Sequence, residues 1–328
     1  KWEFIRKSCL RKTSMSSLFI SADQIRSLIT MEDAIKAMRS AFIQLSRGDA
    51  LIPKRLSLSI PDKNAVALVM PAYALHSPYY TVKTVSINYA NPQKGLPLIH
   101  AVVQVFDASK GNMIAIMDGE SITAIRTGAA SGLATDLLAN KAAKVLAVFG
   151  TGVQARTQVE AVLAVRTIKK ILVFSRAVEH TDSFCSWISD VFSIVAERGQ
   201  LALLNKADII CTATPSEKPL FDHNDLKSGV HINAVGSFQP HMQEVPAETV
   251  QIAKVVVDQK EACEQEAGDL IIPAREGQWS FDDLYGELGQ VAGGEIPGRE
   301  GPEEITLFKS VGNAIQDLVL ARLIMDKL

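Results

Sequence analysis

Val145-Leu146-Ala147-Val148-Phe149 runs directly into Gly150-Thr151-Gly152-Val153-Gln154-Ala155. An apolar strand thus delivers a Gly-x-Gly-x-x-Ala turn to the start of a helix. In a unit of this length each small residue has a task. Gly150 permits the tight bend, Gly152 lets the backbone approach a pyrophosphate, and Ala155 lets the helix pack close to the strand. The helix N-terminus offers free N–H groups and a partial positive charge to the phosphates. The stretch implies a nicotinamide dinucleotide held along Gly150, Thr151, Gly152, Val153, Gln154 and Ala155.

Downstream, strand and helix alternate. Strands are expected at 145–149, 170–174, 209–212, 232–235 and 255–258, with helices at 154–165 and near 181–196. Such alternation indicates a doubly wound parallel sheet of Rossmann type. The end of the second strand selects the cofactor. An acid there bonds the ribose 2′-OH of NAD, but the sequence reads Phe174-Ser175-Arg176. Ser175 can donate to a 2′-phosphate and Arg176 can pair with it. NADPH is therefore favoured, with NADH left open. Thr212, Ala213 and Thr214 follow one later strand, and Val235, Gly236 and Ser237 follow the next. These small residues suit the approach of the nicotinamide ribose.

Upstream, a helix is expected at 31–47, capped by Thr30, with Ala34, Ile35, Met38, Ala41, Phe42 and Leu45 at helical spacing. Strands at 55–60, 65–70, 80–88 and 98–107 follow without helices between them, so this sheet is mostly antiparallel. A long alanine-rich helix spans 120–139. Residues 275–304 read as a helix and a long loop. A last helix at 311–327 is expected to return to the first domain. The fold class is thus α/β: a Rossmann-type sheet at 131–304 plus a discontinuous α+β substrate and dimerisation domain at 15–130 and 305–328.

Composition narrows the partners. The chain has 328 residues, 47% hydrophobic and 21% charged, with a formal net charge of -2. No global field draws it to nucleic acid or an anionic membrane, and no apolar run reaches the ~18–20 residues of a membrane span. The cysteines at 9, 185, 211 and 263 form no C-x-x-C. The six histidines lack metal-ligand spacing, so no metal is expected. A reducing, cytoplasmic setting is the default. Residues 1–14 carry Lys1, Arg6, Lys7, Arg11 and Lys12 against Glu3. They read as an extension ahead of a start at Met15, in preference to a basic targeting tail.

Arg55, Lys83 and Arg126 form the second constellation. Lys83 and Arg126 sit among apolar or small residues, where a cation needs an anionic partner. An intrachain carboxylate would serve any one of them. Three together point to a substrate carboxylate, which an arginine can grip with two bonds.

These residues carry a resemblance. Val82-Lys83-Thr84, Asp118-Gly119, Ile125-Arg126-Thr127-Gly128-Ala129-Ala130, Gly150–Ala155, Ile232-Asn233-Ala234-Val235-Gly236, Glu266-Ala267-Gly268-Asp269-Leu270 and Ile305 through Gly312 are similar to segments of the ornithine cyclodeaminase/mu-crystallin family. The likeness runs from about Phe19 to the C-terminus. It implies a homodimer, and a substrate carboxylate held by Arg55, Lys83 and Arg126. It also implies a nicotinamide approached by Ser310, Val311 and Gly312, with Thr84 among the cofactor contacts. The family includes cyclodeaminases, an alanine dehydrogenase and ketimine reductases, so membership leaves the reaction open.

One departure separates these chemistries. Cyclodeaminases and the related alanine dehydrogenase carry an Asp two residues after the glycine of Asn-Ala-(Val/Ile)-Gly. Here that position is Phe238, in Gly236-Ser237-Phe238-Gln239-Pro240. Phenylalanine neither transfers a proton nor pairs with an ammonium. A cyclic imine needs only an anchored carboxylate, an apolar wall and hydride delivery. Ser237-Phe238-x-Pro240 also resembles the bacterial reductases of 1-pyrroline-2-carboxylate. The expected reaction is reduction of 1-pyrroline-2-carboxylate to L-proline, with piperideine-2-carboxylate to L-pipecolate alongside. Lys83 and Arg126 are the catalytic candidates, Lys83 to supply or relay the imine proton. The alternatives are an ornithine- or lysine-type cyclodeaminase with bound NAD, and a crystallin-like NADPH-binding protein with little turnover. For the acids Glu264, Glu266 and Asp269, helix capping and surface solvation explain the cluster as well as catalysis does, and His241 reads as a loop residue.

Overall fold

A computed structural model describes residues 17–328; the expected extension at 1–14 lies outside the described residues. The chain opens with β1 (Leu18–Ile20), α1 (Ala22–Leu28), α2 (Met31–Ser46), β2 (Ala50–Leu51), β3 (Leu56–Ile60), β4 (Ala65–Ala74), β5 (Tyr79–Asn88), β6 (Ile99–Asp107) and β7 (Met113–Asp118). Then come α3 (Gly119–Leu138), β8 (Val145–Phe149), α4 (Val153–Val165), β9 (Lys170–Phe174), α5 (Val178–Phe192), β10 (Val195–Arg198), β11 (Ile209–Thr212) and β12 (His231–Ala234). It ends with α6 (Ala247–Ile252), β13 (Lys254–Val257), α7 (Lys260–Glu266), α8 (Gly268–Arg275), β14 (Gly286–Glu287), α9 (Leu288–Gly293), β15 (Thr306–Lys309) and α10 (Ala314–Met325).

Two sheets result. The first has the order β1-β7-β6-β5-β4-β2, with β3 also on β4. All its pairs are antiparallel except β1 with β7. Along β5 the pleat sorts the residues. Thr81, Lys83, Val85 and Ile87 are buried on the inner face, whereas Val82, Thr84 and Ser86 face outward. The inner face packs against α10 and α3. The outer face carries Leu56 and Leu58, each more than half exposed.

The second sheet is parallel throughout, in the order β10-β9-β8-β11-β12-β15-β13-β14. Its central strands are short and buried on both faces, as expected for strands covered by helices. Strand order reverses between β8 and β11, which opens a crevice at their carboxyl ends.

α3 joins the halves. Asp118 caps it by accepting the Ser121 N–H at 2.8 Å. The helix is buried along nearly its whole length, packed against α2, α4 and β6 and reaching β12 and β15. A boundary at residue 130 would cut this helix in two. The boundary at 305 also requires correction. Thr306–Lys309 pairs with β12 on one side and β13 on the other, inside the parallel sheet. Four residues arriving from a distant loop are too short to show a strand period. α10 does return to the antiparallel sheet, packing on α2, β4 and β5.

Candidate active site

The glycine turn ends β8. Gly150 has φ +108, a region closed to most side chains, and a Cβ there would lie 2.6 Å from the Ala213 carbonyl oxygen. Its N–H donates to the Phe174 carbonyl at 2.9 Å, which ties the turn to the end of β9. Gly152 caps α4 without any side-chain bond, and a Cβ on it would meet nothing within 4 Å. The first helical N–H groups therefore face open space. Thr151 and Gln154 are half-buried beside them and Val153 is exposed, while Ala155 is packed beneath. This cradle suits a pyrophosphate. Ser175 and Arg176 are exposed just past β9.

The later crests are held from below by Glu244, which is fully buried. Its Oε2 accepts the Thr212 hydroxyl at 2.9 Å and the N–H groups of Gly236 and Ser237 at 2.8 and 3.1 Å. Its Oε1 accepts the Thr214 N–H and hydroxyl at 2.7 and 2.8 Å. Burial, with the neighbouring Asp269, holds the Glu244 carboxyl above the usual carboxylate range; Lys309 and Thr214 oppose this. Asp258 does the same for the next loop. Its Oδ2 accepts the Ser310 hydroxyl and the N–H groups of Val311 and Gly312 at 2.7, 3.1 and 2.6 Å.

This bracing corrects three expected cofactor contacts at the level of the side chain. Thr212 and Ser310 turn inward to carboxylates, and the buried Ser237 hydroxyl donates to the Met242 carbonyl at 2.8 Å. Only their backbones remain for the crevice. Ala213, Thr214, Val235 and Gly236 stay on the crests. Thr84 lies apart from these crests. It pairs across the sheet with Val69 and Val102 on the outer face, opposite Lys83.

β5, α3 and α10 bring the expected cations together. Lys83 Nζ donates to Thr123 Oγ1 at 2.6 Å and to Asp317 Oδ1 at 2.9 Å. Arg126 Nη1 donates to Gln316 Oε1 at 2.7 Å, and its Nε lies 3.7 Å from the same Asp317 oxygen. Arg55 enters from the loop ahead of β3. It donates to the Gly312 carbonyl at 2.9 Å and pairs with Glu266 at 3.2 Å. Each cation thus has an intrachain carboxylate near it, which the sequence reading had set aside in favour of a substrate. Burial pushes the Lys83 ammonium down to about 8; Asp317 raises it, while Arg126 and Arg55 lower it further.

The site nevertheless has unmet bonding capacity. Arg126 Nε, Gln316 Nε2, Asp317 Oδ2 and both amide atoms of Asn313 are buried without a hydrogen-bond partner. Buried polar atoms are nearly always bonded, so five orphans clustered at the start of α10 and on facing Arg126 mark room for a polar ligand. A cavity of about 170 Å³ adjoins them, lined by Arg55, Met70, Glu266, Asn313 and Ala314 among others. Phe238 is half-buried in the loop after β12. The next residue, Gln239, donates to the Tyr89 hydroxyl at 2.9 Å, so this loop is tied to the antiparallel sheet.

Several residues of this region escaped the sequence reading. Asp317 and Gln316 lie on a helix buried on almost every side, where a polar residue signals a site. Lys309 and Asp269 form a fully buried ion pair, which removes surface solvation from the readings left open for Asp269. His241 is an exposed loop residue, as read.

The family model described as the ornithine cyclodeaminase/mu-crystallin family matches residues 15–328. The Delta(1)-pyrroline-2-carboxylate reductase of Bacillus cereus is 40% identical over 315 residues, covering 94% of this chain and 96% of the relative.

The chain belongs to the ornithine cyclodeaminase/mu-crystallin family.

Solved structures of similar proteins agree. The Delta(1)-pyrroline-2-carboxylate reductase of Thermococcus litoralis, in complex with NADH and L-proline, matches with a TM-score of 0.90 at 38% identity, covering 94% of this chain and 97% of that one. An archaeal alanine dehydrogenase dimer with bound NAD matches with a TM-score of 0.89 at 32% identity, covering 95% of each chain. The resemblance read from the sequence is borne out, down to the bacterial reductases it singled out.

Proposed function

We propose that this chain reduces cyclic ketimine carboxylates with a reduced nicotinamide cofactor, taking 1-pyrroline-2-carboxylate to L-proline and piperideine-2-carboxylate to L-pipecolate. One observation carries the reading. Lys83 and Arg126 converge on a site rich in unbonded polar atoms, and the loop after β12 carries Phe238 in place of an acid. The likeness to reductases of this substrate supports it.

Arg55 and Arg126 hold the carboxylate, and Lys83 binds it and supplies the proton for the ring nitrogen. Phe238 forms the apolar wall beside the ring. The turn from Gly150 to Ala155 holds the pyrophosphate, while Ala213, Thr214, Val235, Gly236, Val311 and Gly312 face the nicotinamide half. When bound, the cofactor supplies a hydride to the imine carbon. Ser175 and Arg176 favour NADPH through its 2′-phosphate, since neither repels a phosphate as a carboxylate would.

Residues 17–118 with α10 form the substrate unit, and 145–309 the dinucleotide unit, with α3 shared. The outer face of the antiparallel sheet is covered by a second copy of the chain. Leu51, Leu56 and Leu58 are exposed there, and Tyr80 stacks on Phe106 at 4.8 Å. Among the described residues no helix is long and apolar enough to cross a membrane. A reducing cytoplasm suits the three free cysteines among them.

Incubation of the purified protein with each cyclic imine and NADPH or NADH tests the reading, with L-ornithine as control. Oxidation of the cofactor by the imines supports it. Release of ammonia from ornithine without added cofactor, and no imine reduction from about pH 5 to 9, would replace it with a cyclodeaminase.

A further inference from the structure

Asp317 enters the site from the first turn of α10 and is 1% exposed. Among the described residues it is the carboxylate that ion-pairs with both Lys83 and Arg126. The other partner of Lys83 Nζ is the Thr123 hydroxyl, whose own proton goes to the Gly119 carbonyl at 2.6 Å. Thr123 can therefore only accept from the lysine. Two of the three Nζ donors are fixed, and the third is left for a ligand.

The charged groups around Nζ are few. Asp317 faces it from α10, Arg126 from α3 and Arg55 from the loop ahead of β3. Its cross-strand neighbours on β4 and β6 are Met70 and Val103, neither ionisable. Asp258 and Glu266 act on the two arginines. Of all these, Asp317 is the group that favours a charged lysine.

We propose that Asp317 is a positioning residue that keeps the Lys83 ammonium charged and aimed, so that the lysine donates its proton to the ring nitrogen during imine reduction. This rests on the function proposed above. The C=N bond becomes C–N. The carbon receives the hydride that the reduced nicotinamide supplies, and the nitrogen receives a proton from Nζ. Lys83 is left as a neutral amine, and solvent reprotonates it after product leaves. Burial, Arg126 and Arg55 all oppose the charged form. Without the charge of Asp317 the lysine titrates lower, and less of it is charged at neutral pH.

The test is kcat/KM for the imine against pH, in the unaltered protein and in Asp317→Asn and Asp317→Glu. A parallel NMR titration follows the lysine ammonium, assigned by its loss in Lys83→Arg. The unaltered protein should lose activity as pH rises through about 8. In Asp317→Asn both the activity limb and the ammonium titration should move to acid by about one unit or more, with kcat/KM at pH 7 falling about twofold for one unit and about tenfold for two. Asp317→Glu should keep the limb in place while kcat falls. A limb and titration unmoved in Asp317→Asn, or an acid shift in Asp317→Glu, would overturn the proposal. The Glu variant decides alone if the Asn variant does not fold. No imine reduction by the unaltered protein would instead overturn the proposed function, and the ammonium titration would still judge Asp317.

Discussion

Lys309 and Asp269 form an ion pair at 2.8 Å with neither side chain exposed to solvent. The other oxygen of Asp269 accepts the N–H groups of Glu244 and Val245 at 2.6 and 3.0 Å. Glu244 in turn holds the crests at Thr212–Thr214 and Gly236–Ser237. A chain of three buried ionisable side chains therefore links β15, in the sheet interior, to the rim where the nicotinamide end of the cofactor is expected. Removing one partner of such a pair leaves an uncompensated charge, which costs about 3–5 kcal/mol. Lys309→Met should be destabilised by about that amount in urea unfolding. A loss under about 1 kcal/mol would show that the pair is not coupled to the fold.

Gly312 stands against Arg126. Its φ is +79, and a Cβ would collide with the guanidinium. Gly312→Ala should strain the backbone and push Arg126 off Gln316. Affinity for L-proline, measured by calorimetry in the presence of the oxidised cofactor, should fall about tenfold or more, the equivalent of one charge-assisted hydrogen bond.

Much of this was legible in the sequence, and what was not has a physical cause. The glycine turn could be read because all its requirements lie within six residues. Lys83 and Arg126 could be named, but their partner Asp317 lies 234 residues from Lys83, and such pairing has no local signature. β15 is a four-residue insertion between strands from elsewhere, below the length at which alternation can be seen. Thr84 is different. The period of two along β5 already separates it from Lys83, and applying that rule would have placed it outside.

Arg176 is exposed at the end of β9, where a 2′-phosphate would lie. Arg176→Ala should raise KM for NADPH about tenfold to a hundredfold and leave KM for NADH nearly unchanged. Equal changes for both cofactors would assign the arginine to something other than the phosphate.

On the proposed function, Phe238→Asp would place a carboxylate in the wall beside the ring. Without a cation of its own it should lower kcat/KM for the cyclic imine by about tenfold or more. Unchanged imine reduction would mean that Phe238 does not border the substrate.

The most direct measurement is the stoichiometry of one reaction: purified protein, 1-pyrroline-2-carboxylate and NADPH, with amino acid and oxidised cofactor both quantified. One mole of L-proline per mole of cofactor oxidised, lost in Lys83→Met, is the expected result. Stoichiometric binding of cofactor without proline formation would contradict an imine reductase and leave a protein that holds NADPH without turning it over.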